Sequence, residues 1–156
     1  MKKYLLALAF TLSHIIASAT VASIADVKHL GRADGLSSQR VFTILEDNDG
    51  VLWFSTRSGV DRYNGRTIKN YDLKGDFFYG DLAGRVIMLA KDSDGSIIAY
   101  DNIGRIYKYS PVFDRFDTAY KLSDDIPGFI RLNKYLKGKN NTEYFGLTQG
   151  LFARSG

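Results

Sequence analysis

Two stretches of this sequence carry the residue types of a cation site: Asp47-Asn48-Asp49-Gly50 and Asp92-Ser93-Asp94-Gly95. Alternating carboxylates ahead of a glycine open a calcium loop, in which hard oxygen ligands surround a hard cation. A full loop needs a further oxygen-bearing position before its glycine and a glutamate beyond it. Here the glycine comes early and apolar residues follow at once. Both stretches therefore read as hairpin turns, where glycine accepts a positive φ without steric cost. His29 is the one histidine beyond the first 25 residues. A Ser-His-Asp arrangement would have to use it, and no G-x-S-x-G elbow accompanies it. Zinc usually takes several His or Cys ligands, and the chain has no cysteine. His29 is read as a structural or surface residue. Asp76, Asp81, Asp124 and Asp125 have the chemistry of a general acid and base, but nothing in their spacing selects a pair. No catalytic residue, metal ligand or cofactor site is assigned.

Residues suited to holding a ligand are few. Trp53 has a face on which a sugar ring stacks, but its place between Leu52 and Phe54 reads as core. Phe77, Phe78 and Tyr79 lie in a connecting stretch, and Phe78 and Tyr79 are candidate ligand-binding residues. Arg57 is a third, because its planar fork of donors suits an anionic group. Asn140-Asn141-Thr142 fits a glycosylation acceptor and is read as a turn.

The bulk properties narrow the class. The chain has 156 residues, 45% of them hydrophobic and 13% aromatic, enough to bury a core. The formal charge of +4 includes Lys2 and Lys3, whose loss with a leader leaves +2. So small an excess gives no footprint for nucleic acid. Without cysteine, disulfides and thiolate chemistry are excluded. Residues 1–25 read as a signal peptide: a basic Met1-Lys2-Lys3 start, an apolar run from Tyr4 to Ile16, and a small-residue cleavage pattern at Ala17-Ser18-Ala19. The run is too short for a membrane span, which takes about 20 apolar residues.

The remainder is a repeat. Val41 to Gly59 aligns with Val86 to Gly104, with identities at Val41/Val86, Asp47/Asp92, Asp49/Asp94, Gly50/Gly95 and Gly59/Gly104. A third, weaker copy places Tyr144-Phe145-Gly146 at Trp53-Phe54-Ser55 and Gly150-Leu151 at Gly59-Val60. Each unit reads as short strands. In the first these are Val41 to Glu46, Val51 to Thr56, Val60 to Tyr63 and Arg66 to Tyr71, with Asn64-Gly65 as a type I′ hairpin signal. The apolar run at Val51 to Thr56 suits a strand covered on both faces. Four strands repeating at this interval mark a β-propeller blade, which must stack on neighbours to bury its sheet. The expected fold is all-β: blades of four-stranded antiparallel sheets, about two and a half of them. The layout is a signal peptide (1–25), a closing strand and lead-in (26–40), blade one (41–85), blade two (86–131) and a partial blade three (132–156). The chain thus reads as part of a longer protein. Val27 to Leu30 is expected as the strand that closes the ring against its last blade, removing an exposed edge.

Gly35-Leu36-Ser37-Ser38, Val41, Ile44, Asp47-x-Asp49-Gly50, Leu52-Trp53-Phe54-Ser55-Thr56 and Gly59-Val60-x-Arg62-Tyr63-Asn64-Gly65 resemble the two-component regulator propeller repeat. The second unit departs from it with Ile98-Ala99 for the Trp-Phe pair, Asp101 for the Thr and Ser110-Pro111 for Asn-Gly. The third has Lys139-Asn140-Asn141 in place of the turn. The resemblance implies a periplasmic ligand-sensing module of a hybrid histidine kinase that regulates polysaccharide use. It further implies a small-molecule or oligosaccharide ligand, no nucleic acid for this region, a homodimer in the full-length protein, and a membrane contact made only through a C-terminal part. The fragment itself is expected not to be an enzyme. A secreted propeller lyase or hydrolase, or a sensor with a cyclase or DNA-binding output, are the alternatives.

Overall fold

The computed structural model describes residues 27–73, 84–128 and 130–155. The expected signal peptide lies outside the described residues.

Three antiparallel sheets follow one another along the chain. The first is β1 (Val41–Glu46), β2 (Leu52–Thr56), β3 (Gly59–Tyr63) and β4 (Ile68–Tyr71), in that spatial order. The second is β5 (Ile87–Lys91), β6 (Ile97–Asp101), β7 (Arg105–Ser110) and β8 (Arg115–Lys121). The third has β9 (Leu132–Lys137), β10 (Glu143–Leu147) and β11 (Gly150–Arg154). The helical pieces with both ends among the described residues are 3-10 turns, Arg32–Asp34 and Leu122–Asp124. No helix there is long and apolar enough to cross a membrane. The all-β blade architecture expected from the repeat is what the chain adopts.

The first turn of each blade shows why divergent sequences build the same sheet. The amides of Asp47, Asp92 and Gly138 donate to the carbonyls of Val51, Ser96 and Thr142 at 2.9, 2.8 and 2.8 Å. The left-handed position is Gly50 (φ 77°), then Gly95 (φ 85°), then Asn141 (φ 65°). Asparagine tolerates that conformation better than other side chains, so the third unit keeps the turn without the Asp-x-x-Gly motif. In the first blade the Asp47 carboxylate also accepts from the Asp49 amide, the Val51 amide and Trp53 Nε1. One side chain therefore fixes both the turn and the indole.

The Asn64-Gly65 turn differs from expectation. Tyr63 pairs with Ile68, so the loop has four residues, and only Gly65 has a positive φ, 89°. A type I′ turn needs positive φ at both central residues. Instead Asn64 Oδ1 accepts from the Arg66 and Thr67 amides at 3.0 and 2.9 Å, and the side chain stands in for a backbone turn. Residues 27–30, expected as a closing strand, pair with no strand among the described residues. Lys28 Nζ donates to the Tyr63 hydroxyl at 3.0 Å. The third strand of the third unit is formed in full, as β11.

The sheets pack face to face. One core joins Trp53, Val60, Tyr71 and Leu73 to Ile87, Leu89, Ile97, Ala99 and Tyr107. A second joins Ile98, Tyr100, Ile106, Leu122 and Ile130 to Leu132, Tyr135, Phe145 and Leu147. Alternate residues of β6 thus enter different cores, and all five are buried. This is the physical content of a strand covered on both faces. The first strands, β1, β5 and β9, meet across the sheets, with β2 also against β5, which puts the first strands innermost. At the other side β11 has all five residues exposed, and its outer edge has no partner among the described residues.

Asp61 on β3 is fully buried. It accepts from the Ser37 amide and hydroxyl, both at 2.9 Å, and from Asn70 Nδ2 at 2.8 Å. The carboxylate ties the lead-in segment to the outer strand of its own blade. Asp61→Ala strands these donors and should cost about 2–4 kcal/mol in urea unfolding. Asp61→Asn, which keeps one acceptor oxygen, should cost less.

Candidate functional site

Antiparallel order sends the connections to two opposite ends of the sheets. One end carries the turns at 47–51, 64–67, 92–96, 111–114 and 138–142. The other carries the turns at 57–58, 102–104 and 148–149 together with the segments that lead into β1, β5 and β9.

Of the candidate ligand-binding and acid–base residues, Arg57, Asp124 and Asp125 fall at the second end, and the others lie outside the described residues. Arg57 is exposed in the β2–β3 turn, beside Ser58, whose amide donates to Thr56 Oγ1. Phe77, Phe78 and Tyr79, with Asp76 and Asp81, lie outside the described residues. Asp124 is in the second 3-10 turn, and Asp125 meets Arg154 at 3.3 Å. His29 is exposed. Among the described residues no group of three or more His, Cys, Asp or Glu side chains is placed to hold a metal ion.

Next to Arg57, the second end holds two polar networks. Thr56 Oγ1 lies 2.8 Å from Ser37 Oγ, which joins Asp61. One blade further, Arg85 donates to buried Asp101 (3.1 Å), to the Leu73 carbonyl (2.9 Å) and to the Tyr107 hydroxyl (2.9 Å). The arginine thus pins the neck of the connection between the first two blades. Asp101 fills the place of Thr56 and does its work with more charge, accepting from the Ile103 and Arg105 amides of the following turn.

The first end has a more open arrangement. Between the first two blades lies a groove of about 460 Å³, with Trp53, Arg62, Tyr109 and Asp114 in its lining. Trp53 is 1% exposed, so the core reading of this residue holds. It stacks on Tyr71 with centroids 5.7 Å apart and meets Tyr109 edge-on at 4.7 Å. The Arg62 guanidinium sits 5.4 Å from its ring centroid, within cation–π range. Asp114 accepts from the Tyr71 hydroxyl at 2.5 Å and the Tyr109 hydroxyl at 2.7 Å, and it pairs with Lys69. Hydrogen bonds from Lys69, then Tyr71 and Tyr109, hold its carboxyl well below the usual carboxylate range. Burial first, then the Asp114 carboxylate, push the Tyr71 hydroxyl up. Both groups are locked in one protonation state near neutrality. The groove therefore offers fixed donors and acceptors for binding.

Sequence reasoning missed Arg62, Tyr71, Tyr109 and Asp114. The signal for the first was available, since Arg62 is the cross-strand partner of Trp53. The others come together only because two sheets pack.

Four aspartates at this end titrate low. Asp94 falls to about 2, through hydrogen bonds from Ser96 and then the Lys108 ammonium. Burial alone would raise Asp92, but Lys137 at 3.1 Å and the Ser93 amide and hydroxyl outweigh it and hold it low. Asp114 is the third, and Asp47 is the fourth: burial would raise it, but hydrogen bonds from the Trp53 indole and the Val51 and Asp49 amides outweigh that and hold it low. A folded pKa below the unfolded value of about 3.9 favours the folded state above that pH. The stabilisation is lost as pH falls from about 4 towards 2. Thermal melts between pH 7 and pH 2 should show Tm dropping in that window. Asp92→Asn should lower Tm at pH 7 and shallow the drop.

Comparison with known proteins agrees with this geometry. Residues 35–58 match the family model described as two component regulator propeller. That match covers the lead-in, β1, the first turn and β2. No curated protein gives a significant match. Among solved structures, the extracellular domain of a B. thetaiotaomicron protein, BT4673, described as a one component system, superposes with a TM-score of 0.64 at 13% identity. A second structure, in which BT4673 is described as a hybrid two component system, gives 0.59 at 19%. The extracellular domain of BT3049, also described as a hybrid two component system of that organism, gives 0.58 at 24%. Each similarity covers 83% of this chain but only 17%, 18% and 17% of the other, so the chain spans less than a fifth of the structures it matches. The chain carries a two component regulator propeller repeat in the first of its three blades, and its blades share the fold of these extracellular domains.

Proposed function

We propose that the chain belongs to an extracytoplasmic ligand-sensing propeller of a two-component sensor that regulates polysaccharide use. The observation that carries this reading is the family repeat at residues 35–58, seated in a blade whose partners are further blades. The extracellular domains it resembles support it at the level of fold. A stack of sheets with fixed, fully ionised or fully protonated side chains suits recognition. Signalling then follows from differential affinity: a ligand that binds one arrangement of a dimeric ectodomain better shifts the population towards it. The ligand is a glycan breakdown product, the output lies in another part of the protein, and this region acts in the periplasm as a binding module.

The test uses the full-length protein in its host. Oligosaccharides from one polysaccharide class at a time are supplied, and transcription of the regulated genes is followed. One class should induce, and deleting the first 25 residues should abolish the response. Induction only by non-sugar compounds would overturn the carbohydrate assignment. An alkaline phosphatase fusion after Gly156 that stays inactive would overturn the export.

A further inference from the structure

The exposed turn between β3 and β4 brings an electrophile, a nucleophile and a leaving group together. The electrophile is the Asn64 side-chain amide. Its Oδ1 accepts from the Arg66 amide at 3.0 Å, the Thr67 amide at 2.9 Å and the Thr67 hydroxyl at 3.3 Å. Three donors on one amide oxygen polarise Cγ and stabilise the negative charge that the oxygen gains when Cγ is attacked. The nucleophile is the Gly65 backbone nitrogen, whose bond to Asn64 Cγ closes a five-membered ring. Neither the Gly65 N–H nor the leaving group, Asn64 Nδ2, has a hydrogen-bond acceptor among the described residues. Gly65 has no side chain to crowd the approach, and nothing lies within 4 Å of where a Cβ would stand. Of the chain's seven asparagines, Asn64 alone precedes a glycine. Asn70 and Asn102 differ on both counts. Their Nδ2 groups are tied to the carbonyls of Gly35 and Gly84, and bulky residues follow them.

We propose that Asn64 is a site of spontaneous covalent modification, and that its own turn promotes conversion to aspartate and isoaspartate. The Gly65 nitrogen gives up its proton to hydroxide and attacks Cγ. The new N–Cγ bond forms, the Cγ–Nδ2 bond breaks, and the departing nitrogen takes up a proton and leaves as ammonia. One water then adds to either carbonyl of the cyclic imide and reopens it. Opening at one C–N bond gives aspartate. Opening at the other gives isoaspartate, whose backbone runs through the side-chain CH2 and is one atom longer. One water is consumed, one ammonia is released, and nothing is oxidised. Aspartate keeps an acceptor oxygen for the Arg66 and Thr67 amides, so the turn survives. Isoaspartate lengthens a loop whose ends are fixed by the pairing of Tyr63 with Ile68. β4 starts there and carries Lys69 and Tyr71 to the Asp114 carboxylate of the next blade. Isoaspartate at this turn therefore loosens the seam between the first two blades.

Timed incubation of the folded protein at pH 7 and pH 9, followed by peptide mapping in a mass spectrometer, tests this. A gain of about 1 Da, amide to acid, should appear first in the peptide carrying Asn64 and faster at pH 9. The folded protein should react at least as fast as the same chain unfolded in urea. Thr67→Val removes one of the three donors and leaves both amides. It should slow the reaction about twofold to fivefold with the far-UV circular dichroism unchanged. The Tm of the incubated protein should fall, whereas Asn64→Asp should keep the Tm of the parent. A folded protein more than tenfold slower than the unfolded chain would show that the turn protects Asn64 and would overturn the proposal. A Thr67→Val rate equal to the parent's would do the same for the part played by the donors, and an unchanged Tm after full conversion for the loosened seam.

Discussion

Replacing Gly59 with alanine is expected to destabilise the fold by about 3–5 kcal/mol, well beyond the cost of the same change at Gly150. Gly59 opens β3 with φ at 141°, a region nearly closed to other residues, whose occupation alone costs about 1–3 kcal/mol. A Cβ there would also stand 2.2 Å from the Tyr71 carbonyl oxygen on β4. That atom is backbone in a paired strand, so relief requires moving the outer strand. The third blade supplies the control. Gly150 opens β11 with φ at 140° and has nothing within 4 Å of where a Cβ would stand. Gly150→Ala should therefore cost only the backbone strain. The difference between the two, from urea unfolding followed by far-UV circular dichroism, measures the contact with β4. Equal costs would show that the close approach to Tyr71 relaxes freely.

Trp53→Ala is expected to cost about 3–5 kcal/mol, as for other buried aromatic deletions. Trp53 carries the core between the first two blades, touching Tyr71, Tyr109 and Phe116. It also holds the Asp47 carboxylate by its indole N–H at 2.8 Å. The variant thus opens a cavity and frees a turn at once. Trp53→Phe keeps most of the packing and loses the hydrogen bond, so it should cost roughly 1–2 kcal/mol. Because Trp53 is the only tryptophan, its fluorescence in the parent reports separation of these two blades. A cost below about 1 kcal/mol for Trp53→Ala would mean that the first two blades do not depend on this seam.

The two substitutions address the two ways a blade is held. Gly59 serves the sheet itself, where strands must approach closely. Trp53 serves the stack, where one sheet covers the next. A propeller needs both, since a four-stranded sheet alone exposes two apolar faces. β6 makes the point: Ile97 and Ala99 enter one core and Ile98 and Tyr100 the other.

The blade architecture was legible in the sequence because its signals are local. A turn such as Asp47 to Val51 depends on residues within five positions, and the recurrence of Asp, Gly and apolar runs exposed the repeat. Val41–Glu46 is a strand with the expected bounds. The Asn64-Gly65 turn shows where local reading fails, because an asparagine side chain replaced a backbone conformation that the dipeptide alone suggests. The third turn shows the converse: its motif is gone, yet Asn141 keeps the geometry.

The sequence by itself determined the strands, their spacing and their need for neighbours, since each follows from side-chain period and turn chemistry along a short stretch of chain. Only the tertiary structure decided which side chains share a seam. Asp114 meets Tyr71 across 43 positions and Lys137 meets Asp92 across 45; the repeat aligns equivalent positions at that interval but does not say which side chains touch between blades. Those meetings arise because each sheet must lie against the next to leave water, and the side chains that happen to face each other then become the site.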